Sequence, residues 1–324
     1  MMIADSNAEP TLDVVTCGEA MALFAARETG PLEACTQFER MTAGAELNVA
    51  IGLARLGHRV GYLSRVGNDM LGRFLLDALD RESIDRSHVV IDPAFPTGLM
   101  FKTRNDDGSD PQIEYFRRGS AASHLSAADY DASWCLRARH LHLTGISPAI
   151  SDSARELTLL LAREARAAHI AVSFDPNLRL RLWRSQQEMI DTLHAIAATS
   201  DIVLPGLSEG QLLTGRSTPE GIAAFYLDLG AKIVVVKLGA SGAYYATTSE
   251  SGLVAAQPVA KVVDTVGAGD GFAVGVISGL LDGLPIALAV ERATAIGARV
   301  VQFVGDCEGL PTREQLEAML VQRV

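Results

Sequence analysis

The sequence predicts an α/β fold, in which a mostly parallel sheet is covered by helices on both faces and a small second β-sheet lies over one edge. Three observations carry that prediction. Short apolar runs recur along the chain: LDVVTCG near residue 12, RVGYLSRVG near 59, ARHLHLTG near 138, HIAVSFDP near 169, SDIVLPG near 200 and AKIVVVKLG near 231. Several are apolar almost throughout, as strands buried on both faces are. Helix-like segments lie between them, AELNVAIGLARLG, ARELTLLLAREARAA and TPEGIAAFYLDLG, and such alternation favours parallel strands joined by right-handed crossovers. Residues 20–43 and 95–119 break the rhythm and read as strand–turn–strand pairs, the second around NDDGSDP. Neither hairpin is stable alone, so together they are expected to form a small lid over the active site. In open α/β sheets that site gathers outside the carboxyl ends of the strands.

Composition narrows the class. The 324 residues are 48% hydrophobic and 21% charged, as in an ordinary globular enzyme. Residues 1–11, MMIADSNAEPT, read as a loose tail without the basic start and apolar run of a signal peptide. Residues 12–324 read as one domain with the lid segments inserted. No run approaches the ~18 apolar residues of a membrane span, and a net charge of −11 argues against nucleic-acid binding. Cys17, Cys35, Cys135 and Cys307 are scattered, with no C-x-x-C spacing. Reduced thiols and a cytoplasmic location are expected. There are no internal repeats.

The strongest local signal is DTVGAGDGFAVG, from Asp264 to Gly275. It follows a β-rich run, VAKVV, and opens the helical segment GFAVGVISGLLDG. Gly267, Ala268 and Gly269 carry little or no side chain, so their amides can approach a phosphate at a helix start, where unpaired N–H groups favour an anion. Asp270 shares that turn, which stabilises its charge. A carboxylate beside an anion hole suits phosphoryl transfer: the amides receive charge while the aspartate takes an alcohol proton. Alone, the stretch reads equally as a glycine turn with a capping aspartate. It is not a dinucleotide fingerprint, which needs glycine where Phe272 stands, and no Walker motif occurs.

Two further elements stand in order with it. AGAELNVAIGLARLG followed by RVGNDMLG places Gly44, Asn48, Gly57 and Gly67 at set spacings, and KLGASGAYY begins at Lys237. Together the three resemble the signatures of the ribokinase-like (PfkB) carbohydrate kinases, over roughly residues 12 to 318. The resemblance implies a ribokinase-like three-layer sandwich with a β lid, ATP and Mg²⁺. ATP contacts are implied at Lys237, Gly239, Ser241, Gly242, Gly267, Gly269 and Thr294. Glu209 would act on the metal through water; a monovalent cation requirement is left open. Within the family, GEAM (18–21), AGAELNVA (43–50), EYFRRGSAAS (114–123) and DPNLRLRLW (175–183) are most similar to kinases of 2-keto-3-deoxygluconate, phosphorylated at its 6-hydroxyl. By position, Gly44, Asn48, Tyr115, Arg117, Arg179 and Asp270 would contact that sugar acid. Arginine suits the carboxylate with its planar two-pronged donor set. A 5-keto-2-deoxygluconate, fructose or ribose kinase is the alternative; neutral sugars need no pair of converging arginines. A homo-oligomer through the lid is a further expectation. Met100, Gly206 and Thr294 depart from residues common in the family, and Arg118 and Arg181 read as solvated charge.

Other chemistries fare worse. GLSEG at 206–210 matches a nucleophile elbow with Ser208, but that fold needs a histidine after the serine and the last histidine is His194. Ser208 reads instead as a helix cap. His140 and His142 share one face of a strand with no third ligand in sequence, so packing is the expectation. A non-catalytic sugar binder would have lost the base, and Asp270 is present.

Overall fold

The computed structural model describes residues 11–105 and 110–321. Tail residues 1–10 and the turn residues 106–109 lie outside them. The strands are β1 (Leu12–Cys17), β2 (Met21–Thr29), β3 (Phe38–Ala43), β4 (Val60–Gly67), β5 (Val89–Asp92), β6 (Leu99–Arg104), β7 (Ile113–Phe116), β8 (Ala138–Thr144), β9 (Ala171–Asp175), β10 (Ile202–Val203), β11 (Ile233–Lys237), β12 (Ala243–Thr247) and β13 (Ser251–Val254). Nine form one sheet in the order β13-β12-β11-β10-β9-β8-β1-β4-β5. It is parallel from β5 through β11, with β12 and β13 added antiparallel at one edge.

Alternation along the central strands explains the three layers. Val15, Val203, Val234 and Val236 face one apolar cluster, which includes Leu157 and Leu161 of the helix Asp152–Ala167 and Tyr226 of the helix Pro219–Leu229. Val14, Ile202, Leu204 and Val235 face the other, with Leu47, Val274 and Ile296 from the helices Ala45–Arg55, Ala268–Leu281 and Ile286–Val300. A strand with a core on each side must be apolar at every position. The helix Ala268–Leu281 is buried nearly all round. It approaches Ile286–Val300 so closely that a Cβ on Gly275 would lie 2.3 Å from the Ala293 Cα.

The remaining four strands form the lid, in the order β3-β2-β6-β7. Hairpins β2–β3 and β6–β7 pair antiparallel, and β2 joins β6 in parallel. One expected strand does not form. VAKVV (259–263) is irregular, because the chain after β13 follows a helix end instead of a sheet edge: the Val263 and Asp264 amides both donate to the Val301 carbonyl, at 2.7 and 3.2 Å. Among the described residues no helix is long and apolar enough to cross a membrane.

Candidate active site

The turn before Ala268–Leu281 is shaped by its neighbours. Gly267 has φ +82°, and a Cβ there would come within 2.2 Å of the Asp306 carbonyl oxygen, so only glycine fits. The Ala268 amide turns back to the Thr265 carbonyl at 3.3 Å, whereas the amides of Gly267, Gly269 and Asp270 have no protein acceptor among the described residues. Two of the expected trio, Gly267 and Gly269, are thus open donors, and the Asp270 amide stands in for that of Ala268. Gly269 differs from Gly267: a Cβ on it would meet only the Lys237 Nζ, at 3.7 Å. The fold does not demand glycine there.

Asp270 is the third residue of the helix, and its carboxylate is buried. Asn48 Nδ2 donates to Oδ2 at 2.7 Å. Asn48 comes from Ala45–Arg55, whose first turn follows Gly44 at φ +132°. Burial pushes the Asp270 pKa up to about 7; Asp175 and Asp306 add to this, while the Asn48 bond and Arg179 oppose it. A carboxyl that is half-ionised near neutrality is suited to exchange a proton with an alcohol.

Two cavities meet beside it. One, about 360 Å³, lies under the lid and is lined by Gly44, Asn48, Tyr115, Arg117, Arg179 and Asp270 among others. These are the six substrate positions expected from sequence. The other, about 660 Å³, is a more apolar cleft reaching Gly239, Gly242, Thr294 and Ala268. Lys237, Thr265 and Gly269 line both. Ligands in the two cavities would thus meet beside Lys237, Thr265 and Gly269.

The charged groups are paired. Lys237 Nζ reaches Asp175 Oδ2 at 2.6 Å; burial alone would lower the lysine pKa, but Asp175 and Glu209 carry it above its ordinary value. Arg117 pairs with the buried Glu19, which also accepts a bond from Ser120. Glu46 is buried with Thr144 and Ser147 hydroxyls donating to Oε1 at 2.6 and 2.7 Å; burial raises its pKa against those bonds. Arg179 is exposed at the rim and bonds only the Leu178 carbonyl, at 3.0 Å, with no carboxylate partner among the described residues. Tyr115 is 41% exposed on β7, across from buried Met100 on β6. Glu209 lines the lid cavity, yet its oxygens accept from the Leu178 and Gly206 amides at 2.8 and 2.7 Å. No cluster of three or more His, Cys, Asp or Glu side chains among the described residues could hold a metal ion by itself.

Comparison with known proteins fixes the family. A family model described as pfkB family carbohydrate kinase matches residues 11–313. The chain belongs to that family. The kinase is 50% identical over 310 residues to the 2-dehydro-3-deoxygluconokinase of Bacillus subtilis (strain 168), covering 95% of each chain. Its fold superimposes with a TM-score of 0.88 on a PfkB protein from Polaromonas sp. JS666, 54% identical, covering 95% of the kinase and 100% of that chain. It also matches, with TM-score 0.89 and 30% identity, a ribokinase II from E. coli solved in complex with ATP and Mg²⁺, covering 97% and 100%.

Several sequence expectations need adjustment. Ser241 is exposed in the turn Gly239–Ser241, and Ala240 lines the cleft in its place. Thr294 does reach the cleft, but its hydroxyl proton is committed to the Glu291 carbonyl at 2.9 Å. Ser208 is exposed and does not cap its helix; Glu209 holds the Gly206 amide instead. His140 and His142 are buried in the sheet, both against Ser173 Oγ at 2.7 and 2.8 Å, with pKa values lowered by burial to about 4 and 3. That is core packing of neutral imidazoles. Glu19, Glu46, Asp175 and Asp306 line the cavity without having been singled out. Asp175 carried a usable signal, as an acid at the carboxyl end of a strand; Asp306 carried none.

Proposed function

We propose that the kinase transfers the γ-phosphoryl group of ATP to the 6-hydroxyl of 2-keto-3-deoxygluconate. The observation that carries this reading is the buried Asp270 carboxylate at the glycine turn where the two cavities meet. The lid cavity would hold the sugar acid and the apolar cleft the adenosine. The relative at 50% identity, named for this substrate, supports the choice.

In this mechanism Asp270 accepts the hydroxyl proton as the sugar oxygen bonds to the γ-phosphorus. The bond from that phosphorus to the β-bridging oxygen breaks, and ADP leaves. Charge developing on the transferred group falls on the Gly267, Gly269 and Asp270 amides and on the Lys237 ammonium. Because the sugar is placed by residues on the large domain and the lid together, most of the rate comes from positioning. Arg179 supplies an unpaired guanidinium for the substrate carboxylate. Arg117, held by Glu19, presents a second from the lid. Magnesium would travel on the ATP phosphates with its waters, and the Glu209 carboxylate, facing the cavity with both oxygens already bonded to amides, fits contact through water rather than direct ligation.

An ATP-coupled assay across 2-keto-3-deoxygluconate, 5-keto-2-deoxygluconate, fructose and ribose tests the reading, with the product's phosphate position read by NMR. The keto-deoxygluconate should lead in kcat/KM by about 100-fold or more, the scale set by leaving buried polar groups unpaired with the wrong substrate. Equal use of fructose, or phosphate on another hydroxyl, would refute it.

A further inference from the structure

Lys102 lies in lid strand β6 and is 1% exposed. Its ammonium bonds Asp264 Oδ2 at 2.6 Å and Asp306 Oδ1 at 2.8 Å, and both acids are themselves buried. Each acid is built into the glycine turn. Asp264 Oδ1 accepts from the Val266 amide at 3.0 Å, one residue before Gly267. The Asp306 carbonyl occupies the place a Gly267 side chain would need. Burying three charges is unfavourable compared with an apolar side chain of similar volume, and the neighbouring lid cluster of Met21, Leu23, Ala25 and Met100 shows that β6 can be packed without charge.

We propose that Lys102 is a positioning residue for phosphoryl transfer. Its ammonium clamps Asp264 and Asp306 together and thereby holds the Gly267 and Gly269 amides at the spacing a transferred phosphoryl group needs. Lys102 lines neither large cavity, so it acts through the turn and not on the substrate. The same strand puts Met100 into the sugar cavity, so one lid element both roofs the sugar and sets the turn that receives the phosphoryl group. The clamp also sets a cation, shared with Asp264, against Asp306, a carboxylate on the wall of a cavity read as binding a sugar acid. This inference rests on the phosphate-receiving role proposed for the turn.

Lys102→Ala tests it, with steady-state kinetics in ammonium, methylammonium and tetramethylammonium chloride at equal ionic strength. Turnover should fall by about 100-fold, the scale of losing one aligned donor, with KM for both substrates within about threefold of wild type. Ammonium or methylammonium, small enough to enter the vacated space, should restore at least about tenfold of that loss, and tetramethylammonium should not. A folded variant with turnover within about threefold of wild type overturns the proposal. So does a loss that no small ammonium ion restores, or one that tetramethylammonium restores equally, since a role in folding alone predicts either. If Lys102→Ala shows no cooperative thermal transition, Lys102→Met combined with Asp264→Asn removes one charge of each sign, and the asparagine oxygen can still accept from Val266. In that folded variant a hundredfold loss of turnover supports the clamp and near-normal turnover overturns it. Asp270→Asn is measured alongside. If it stays active, the reading of the turn falls and this inference with it; if it is inactive while Lys102→Ala is not, only the clamp falls.

Discussion

Replacing Asp270 with asparagine should raise the melting temperature while abolishing most turnover, and the rise should depend on pH. Burial carries the carboxyl from its ordinary 3.8 to about 7 in the folded chain, so the folded state holds the proton more tightly than the unfolded one. Below pH 3.8 both states are protonated and the residue exerts no pH-dependent effect. From 3.8 to about 7 stability falls as pH rises, and above about 7 the full penalty applies. At ~1.4 kcal/mol per pKa unit the ceiling is about 4 kcal/mol at pH 8, and about 2 kcal/mol at pH 5. Asparagine never ionises, and its carbonyl oxygen can keep the Asn48 bond. With an unfolding entropy of ~2.1 cal/mol/K per residue, 1 kcal/mol moves the midpoint of a chain this long by roughly 1.5 °C. Ligand-free Asp270→Asn should therefore melt about 6 °C above wild type at pH 8 but only about 2–3 °C above it at pH 5, by scanning calorimetry. Turnover should drop by roughly 10²–10⁴, the usual worth of a general base. A variant no more stable at pH 8, or a gap that fails to widen with pH, would refute the claim that the carboxylate is held against its own charge.

The same pKa sets a rate profile: kcat/KM should rise about tenfold per pH unit below about 7 and level off above, because only ionised Asp270 accepts a proton. A profile flat from pH 5.5 to 8 would remove Asp270 from that role. Arg179→Ala should raise KM for the sugar acid by about 10- to 100-fold, as for a charge-assisted contact at a partly exposed site, and leave any residual fructose activity unchanged. A matching loss with the neutral sugar would show that the arginine serves the fold. Gly269→Ala should melt within about 1 °C of wild type, since its methyl meets nothing closer than Lys237 Nζ at 3.7 Å. Its ATP KM or turnover should suffer by about 30-fold or more, the methyl occupying the approach to an anion-hole amide. Full activity in that variant would show the turn does not receive phosphate.

The fold was legible where burial is two-sided. Val234, Val235 and Val236 are apolar because cores lie on both faces of β11, and such runs declare themselves without tertiary knowledge. The lid hairpins announced themselves by breaking that rhythm. VAKVV misled because valine favours strands by packing rather than by backbone preference, and here Val262 and Val263 found a helix end and a cleft instead. The site divided along similar lines. Asp270, Gly267 and Asn48 sit in contiguous motifs whose chemistry is local. Lys102, Asp306 and Glu19 matter through partners 162, 204 and 101 residues away for the bonds Lys102–Asp264, Lys102–Asp306 and Ser120–Glu19, and no pattern along the chain records such distances. Ser208 shows the converse error: it stands inside the helix Leu207–Thr214 rather than before it, and Glu209 holds the Gly206 amide at the helix start.

The sign of the cavity's charge carries the substrate question. Glu19, Glu46, Asp175, Glu209, Asp270 and Asp306 all line it, a set that taken alone would repel a sugar acid. Three of them are paired with fixed cations, Glu19 with Arg117, Asp175 with Lys237, and Asp306 with Lys102, which Asp264 shares. Burial holds Glu46 and Asp270 toward their neutral forms, and Glu209 is occupied by two amides. Against this acidic wall stands Arg179, a cation on the cavity rim with no carboxylate in ion-pair contact among the described residues. An anionic substrate completes that pairing and a neutral ketose cannot, while both would present the same hydroxyl to Asp270. Discrimination by charge should therefore appear mainly in KM, with the sugars' turnover numbers closer together than their affinities.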